Sequence, residues 1–564
     1  MKTQNRILEY FRESFTSDLK AGFITAIVAL PLAIAFAIAS GVEPVMGLYT
    51  AIIAGTLASS VGGSRYSITG PTGAMTVIIL STLHSFGLEG LLLAGFLAGI
   101  FQILFGLLRL GKVVKYIPLP VISGFTSGIG AIILIGQIPN AFGMVIPAKE
   151  HVWETLSAVI ANLSNANSIA LLICAATIIL LLYLPGLMAR IKYINSLPPS
   201  IVALALSVVL IYYSKLEIPI VGSIPGGLPQ LQMINLNPEL VLAVLPASLT
   251  IALLGTIEAL LCAVVCDGMT NTKHESNREL LGQGIANLIL PFFSGMPCTA
   301  AIARSAVNIR EGAKTQVSGI IHALVLFAIL LFLGPIAAFI PKAYLAGVLI
   351  LVSFRMINIT ELRTTMHISK MDTAVLLVTF LLTVLTDLVF AVQVGMFLAI
   401  VLLFIRLTNI IDIHTIENYD RSMGINATIF ADPYLEKNVS VYTINGPFFF
   451  GAMNVFESKI NEHMNISKPH IILRMRYVPF IDTTGLERMK SFIHTSKKMH
   501  QKVYLTSIQP EVMRRIKRDH QLKELIRNKE VLIFERTQEA LAYLKEQNAE
   551  VTKTQSMLSQ NPAE

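Results

Sequence analysis

Two ionisable residues stand where hydrocarbon would be expected. Arg304 lies about two turns into the small-residue segment SGMPCTAAIARSAV (Ser294–Val307), and Glu258 lies inside TIEALLCAVVCDGM (Thr256–Met269). Charges at membrane depth are costly, and they mark ion pathways and coupling sites. The stretch around Arg304 has a distant counterpart in SITGPTGAMTV (Ser67–Val77). Each interrupts an apolar run with Ser, Gly and Pro, then resumes as a small-residue helix, which is how a discontinuous membrane helix is written. Pro71 and Pro297 suit a first helical position, where a missing N–H costs nothing. The N–H groups of Thr72, Gly73 and Ala74 and those of Thr299, Ala300 and Ala301 are then expected to be offered to a ligand. Two such helix ends supply about one positive charge equivalent. With Arg304 added, the ligand that suits them is a small inorganic anion.

Glu258 is the candidate coupling group. Burial disfavours its charged form and a neighbouring Arg304 favours it, so its protonation should depend on whether an anion is present. A permanent Glu258–Arg304 pair that locks the helices is the competing reading, as is a packing role for the Gly and Pro residues. Cys262 and Cys266 share one helix face, but no His or further Cys joins them, so packing rather than metal binding is expected.

These residues need a membrane scaffold. The chain has 564 residues, of which 54% are hydrophobic and only 14% charged, too apolar for a soluble protein of this size. Its formal charge of +8 is spread over short segments between apolar runs instead of forming one stripe, which argues for membrane topology and against nucleic acid. The four cysteines lie in or beside apolar segments, so no structural disulfide is expected. Nor does the first apolar run end in a convincing cleavage site, so it should remain as a span.

Apolar runs fall near 21–40, 45–61, 72–86, 88–108, 119–139, 167–187 and 198–214, then near 242–267, 279–293, 298–309, 317–340, 343–357, 372–387 and 389–410. This predicts an α-helical polytopic membrane protein of 14 transmembrane segments, as two inverted repeats of seven, with the Pro-led segments at the third place of each. Lys and Arg concentrate in alternate loops, and only Lys149, Lys215 and Lys342 fall in the others. The positive-inside rule therefore puts both termini in the cytoplasm, in a cell inner (plasma) membrane. The expected organisation is a cytosolic segment over 1–20, a transport domain over 21–410, a linker over 411–437, a small cytosolic α/β domain over 438–547 and a disordered tail over 548–564. In the α/β domain VSVYTING, HIILRMRY, KVYLTSI and VLIFER read as strands, and NVFESKINEHM and GLERMKSFIHTSKKMH as amphipathic helices.

The chain resembles the sulfate permease (SulP) family of anion transporters over nearly its whole length. The resemblance is carried by DLKAGFITAIVALPLAIAFAIASGVEPVMGLYTA (Asp18–Ala51), both half-helices, RELLGQGIANL (Arg278–Leu288), TDLVFAVQVGMFLAI (Thr386–Ile400) and a C-terminal STAS-like domain with FIDTTG (Phe480–Gly485). It implies a core of segments 1–4 and 8–11 that holds the substrate and moves like an elevator against a gate of segments 5–7 and 12–14. It also implies a homodimer, an Arg at the position of Arg304 and a pocket aromatic at Phe36. Sodium-coupled bicarbonate members are similar around Glu258 but carry Asp there and Thr one turn on, where this chain has Glu258 and Cys262. A thiol is a poor ligand for a hard cation, so the departure favours a proton over sodium. In STAS domains of sporulation regulators the position matching Thr483 is phosphorylated; here a helix-capping turn is the plainer role.

The expectation is a secondary active transporter, not an enzyme, for sulfate or a similar small oxyanion, coupled to protons, with no cofactor, in the lipid bilayer. The STAS domain would serve assembly or a regulatory protein. Alternatives are a sodium-coupled bicarbonate transporter, a chloride/bicarbonate exchanger, a dicarboxylate transporter and an anion channel.

Overall fold

The computed structural model describes residues 13–112, 118–147, 149, 151–188, 198–214, 216–222, 227, 229, 231–357, 359–386, 388–409, 412–415, 432–452, 458 and 468–559. Most of the cytosolic segment over 1–20, most of the 411–437 linker and nearly all of the helix expected over NVFESKINEHM lie outside them. The chain divides into two compact units, Met1–Ala399 and Ile400–Glu564.

The first unit is helical. It opens with α1 (Phe15–Ala39) and α2 (Pro44–Val61), then a two-residue strand β1 (Thr69–Gly70) leading into α3 (Gly73–Leu107). In α3, Gly87 takes φ 67° and ψ −174°. Glycine alone adopts that backbone readily, and the break it makes falls between the two expected segments, 72–86 and 88–108. There follow α4 (Leu119–Gly136), α5 (Ile138–Ala141), α6 (Val152–Ala161), α7 (Ser168–Met188) and α8 (Pro199–Ser214). The second half runs α9 (Pro238–Thr270), α10 (Ser276–Ile289), strand β2 (Thr299–Ala300), α11 (Ile302–Arg310), α12 (Val317–Ala337), α13 (Lys342–Met356), α14 (Ile359–Ile368) and α15 (Lys370–Leu385), and α16 (Leu388–Asn409) spans the boundary at Ala399. Among the described residues nine helices are long and apolar enough to cross a bilayer. Length and hydropathy therefore do not by themselves yield fourteen crossings, because several segments are short and two follow one another across the break at Gly87.

α3 packs along both α9 and α10, while α12 packs on α1 and α2; α4 packs on α15 and α13, and α13 on α7. Small residues let the helix backbones approach: a Cβ on Gly284 would lie 2.8 Å from the Ile103 nitrogen and 2.9 Å from the Gly99 carbonyl oxygen. Buried polar groups tie the loops down. Glu279 of α10 accepts from the N–H groups of Gly63 (2.9 Å) and Ser64 (2.8 Å), and Asp18 of α1 accepts from those of Lys314 (2.7 Å) and Thr315 (3.1 Å).

The second unit is an α/β domain with a five-stranded sheet in the order β3 (Asp412–Thr415), β4 (Val439–Asn445), β5 (His470–Tyr477), β6 (Lys502–Thr506) and β7 (Val531–Phe534). Only the β3–β4 pair is antiparallel. The helices are α17 (Pro433–Asn438), α18 (Thr483–Lys498), α19 (Pro510–Arg518), α20 (His520–Arg527) and α21 (Thr537–Ser559). Asp482 caps α18 by accepting the Gly485 N–H at 2.7 Å, the turn expected at FIDTTG, and Thr483 beside it is exposed. α21 continues to Ser559, past the point where the sequence reading places a disordered tail, since no Gly or Pro interrupts 548–559. Residues 560–564 lie outside the described ones.

Candidate anion-binding site

The two Pro-led segments meet. β1 and β2 pair antiparallel, with Thr69 opposite Ala300 and Gly70 opposite Thr299. Non-helical backbone inside a membrane domain must satisfy its own polar groups, and two broken helices meeting head-on satisfy each other. This corrects one expectation. Thr299 and Ala300 belong to the ladder, and the Ala301 N–H donates to the Ile68 carbonyl at 2.9 Å, so the second helix starts at Ile302 and not directly after Pro297. The Ala301 N–H is thereby taken, whereas Ala300 sits in the pair between two bonded ones and turns its N–H away from the ladder; the open N–H groups of that half are those of Ala300 and of the first turn of α11. The Thr299 side chain is also occupied, donating to the Gly255 carbonyl at 2.8 Å.

On the other half the helix head follows Pro71 directly. α3 starts at Gly73, with Thr72 as N-cap, its hydroxyl accepting from the Met75 N–H at 3.4 Å. The same hydroxyl donates to Glu258 Oε2 at 2.8 Å. Gly73 and Ala74 therefore stand at the head of the helix with small or absent side chains and are buried. Phe36 of α1, also buried, faces that head: a Cβ on Gly73 would lie 3.4 Å from Phe36 Cε1.

Arg304 reaches across from the first turn of α11 to the entry of α3. One terminal nitrogen, Nη2, donates to the Pro71 carbonyl. The other, Nη1, is buried without a hydrogen-bond partner among the described residues. The guanidinium fits because Gly70 has no side chain: a Cβ there would lie 2.6 Å from Nη1. Glu258, on α9 and only partly buried, forms no ion pair with Arg304 within 4.0 Å. Instead the two charges grip consecutive residues of one turn, Arg304 at Pro71 and Glu258 at Thr72. The locked direct pair is thus absent, and a cation, a carboxyl group and two helix ends converge with one buried N–H donor left over.

The buttress behind the site was not singled out from the sequence. Asn287 of α10 clamps the second Pro-led loop, its Oδ1 accepting the Cys298 N–H and its Nδ2 donating to the Cys298 carbonyl, both at 2.9 Å. Thr50 Oγ1 accepts the Met296 N–H at 2.8 Å. Gln283 donates to Thr69 Oγ1 at 2.8 Å, and Ser305 Oγ accepts the Ile68 N–H at 2.8 Å. Each satisfies backbone or side-chain polarity that the broken helices expose, at a net gain of about 0.5–1.5 kcal/mol per bond. The available signal was Gln283 and Asn287 spaced four apart in RELLGQGIANL, two amides on one face of a helix, in line with Glu279 one turn before. Cys262 donates its thiol to Ser305 at 3.2 Å, so it supports the strand crossing.

Comparison with known proteins identifies the family and the fold. Residues 15–379 match the sulfate permease family and residues 432–540 the STAS domain. A putative sulfate transporter of Bacillus subtilis, YvdB, is 37% identical over 91% of this chain and 95% of its own. The transmembrane domain of a cyanobacterial bicarbonate transporter, BicA, is 35% identical, with a TM-score of 0.60 over 68% of this chain and 97% of that one. Murine solute carrier 26 family member A9 shares the fold at 19% identity, with a TM-score of 0.83 over 96% of this chain and 93% of that one.

Proposed function

The chain belongs to the sulfate permease family of anion transporters and carries a STAS domain, and from that premise we propose that it takes up sulfate or a similar small oxyanion together with protons. The observation that carries the reading is the buried, unpartnered Nη1 of Arg304 beside the open head of α3. A buried donor without a partner is expensive, by about 1–3 kcal/mol, and more when it is charged. An oxyanion oxygen at that point relieves the cost. It would also receive the Gly73 and Ala74 N–H groups and the α11 dipole, with Phe36 as an apolar wall.

Glu258 is the coupling group. Through Thr72 it touches the cap of the same helix end that would hold the anion. An ionised Glu258 offsets the positive field of Arg304 and the helix ends, whereas a protonated Glu258 leaves that field to the anion. Proton and anion then favour each other's binding, and linkage makes the effect reciprocal. Release follows when the loaded core, α1–α3 with α9–α12, shifts against the remaining membrane helices. This elevator motion, fourteen segments in two inverted sevens, cytoplasmic termini, a plasma-membrane location and a homodimer complete the reading. The STAS domain serves assembly or a regulatory partner.

Bicarbonate is the second reading, favoured by the 35% identity to the BicA transmembrane domain. Sodium coupling has less support, because Glu258 is engaged by Thr72 and Cys262 by Ser305, which leaves few hard oxygen ligands at that place. The test is uptake of labelled sulfate by reconstituted protein, with excess bicarbonate, chloride and fumarate as competitors and with sodium present or absent. Sulfate uptake that is independent of sodium and weakly inhibited by bicarbonate is expected. Sodium-dependent uptake of bicarbonate with none of sulfate would replace this reading by the second.

A further inference from the structure

A pocket of about 450 Å³ lies between α1 and α3 on one side and α4–α6 on the other. Its walls are mostly aliphatic, with Thr76, Gln137 and Asn140 adding polarity. Lys149 and Lys342 line it, and no Asp or Glu does among the described residues. Lys149 is exposed and Lys342 half-buried. They are two of the three lysines that the topology reading leaves in outer loops.

Two residues belong both to this pocket and to the surroundings of the anion site. Thr76, in the first turn of α3, donates to the Thr72 carbonyl at 3.0 Å. Ile133 of α4 lines the pocket, and a Cβ on Gly73 would lie 2.8 Å from its Cδ1. The pocket therefore ends one aliphatic side chain away from the head of α3. Met356 of α13 approaches the same point, its sulfur 3.4 Å from the Gly73 Cβ position.

We infer that this pocket is an outer vestibule that collects the anion, with Lys149 and Lys342 drawing it in and Ile133 sealing it from the helix-end site. The inference rests on the anion-transport and topology readings above. Two cations at a recess whose described lining holds no carboxylate focus field lines on a negative solute and raise its local concentration. The volume admits an anion with its hydration shell, and the aliphatic seal makes that shell be shed before the anion meets Arg304. Sidedness follows: the lysines act on outer-face loading and leave inner-face loading unchanged.

The experiment uses the full-length protein in proteoliposomes, with labelled sulfate and labelled bicarbonate as probes. In the Lys149→Gln/Lys342→Gln double variant, the outer-face KM should rise about 3- to 10-fold at low ionic strength, and the difference should vanish near ~0.5 M salt. The inner-face KM and the maximal rate should stay at wild-type values. Accessibility gives a second readout. All four native cysteines are buried, so an impermeant anionic thiol reagent should leave the wild type unmodified. Val145→Cys, at an 85% exposed position lining the pocket, should be modified from outside. Ile133→Cys should react from outside about 10-fold or more slowly and be protected by the transported anion.

An outer-face KM indifferent to both lysines, or an equal rise on both faces, overturns the inference alone. Modification of Val145→Cys only from the inner face overturns the topology and the vestibule's outer assignment. A wild type that takes up neither anion overturns the transport reading, and this inference with it.

Discussion

Replacing Gly70 by Ala tests whether Arg304 is aimed at an anion by the geometry around it. The added Cβ would lie 2.6 Å from Nη1 and 3.3 Å from both Cζ and Nη2. Ordinary contact begins near 3.4 Å, so the guanidinium must retreat by almost an ångström. Retreat stretches or breaks the charge-assisted bond to the Pro71 carbonyl, which is worth about 1.5–3 kcal/mol, and moves Nη1 off its axis. Overpacking of such a site costs about 1–3 kcal/mol. Gly70 is not among the residues of positive φ, so alanine is tolerated by the backbone and the effect stays at the side chain. If 1.5–3 kcal/mol of anion binding is lost, sulfate affinity falls by about 10- to 150-fold. Isothermal calorimetry of sulfate binding to detergent-solubilised protein reads this directly, with thermal unfolding as the control for folding. A well-folded Gly70→Ala variant that binds sulfate within about twofold of wild type would refute the reasoning, because the charge would then bind wherever it sits.

Two further outcomes are expected. Thr72→Val removes both the cap to Met75 and the bond to Glu258 and should weaken the dependence of uptake on the proton gradient, whereas Thr72→Ser, which keeps the hydroxyl, should restore it; equal behaviour of the two would separate Thr72 from coupling. In the STAS domain, burial and then the nearby Lys502 hold the His470 imidazole below its ordinary value of 6.5. The unfolded chain therefore takes up a proton that the folded one resists, so the domain loses stability as pH falls below 6.5 towards the lowered folded value. Hydrogen exchange of the β5 peptide in the full-length protein, corrected for intrinsic rate, should show protection declining over that window, and His470→Gln should flatten it.

Much of the site was legible because its chemistry conflicts with its surroundings. Arg304 and Glu258 stand out against apolar neighbours, and Pro71 and Pro297 announce broken helices. The place where the second helix starts was not legible. It depends on Thr299 and Ala300 pairing with Gly70 and Thr69, more than two hundred residues away, and local small-residue composition cannot distinguish a helix head from a short strand. Asn287 and Thr50 were missed for a related reason. A lone buried amide or hydroxyl in an apolar helix acquires meaning only once the loop it clamps is beside it. The break at Gly87, by contrast, was legible, because the glycine interrupts the apolar run where the backbone leaves the helix. In the STAS domain HIILRMRY predicted β5 to the residue, because a short apolar run suits a central strand buried on both faces, as Ile471–Leu473 are.

The central claim joins an anion at Arg304 to a proton at Glu258. Its most direct test is labelled sulfate accumulation in proteoliposomes under an imposed inward proton gradient, wild type against Glu258→Gln. The account predicts uphill accumulation by wild type and, in Glu258→Gln, sulfate binding that persists without gradient-driven accumulation. Accumulation by Glu258→Gln equal to that of wild type, or wild-type uptake indifferent to the gradient, would contradict it.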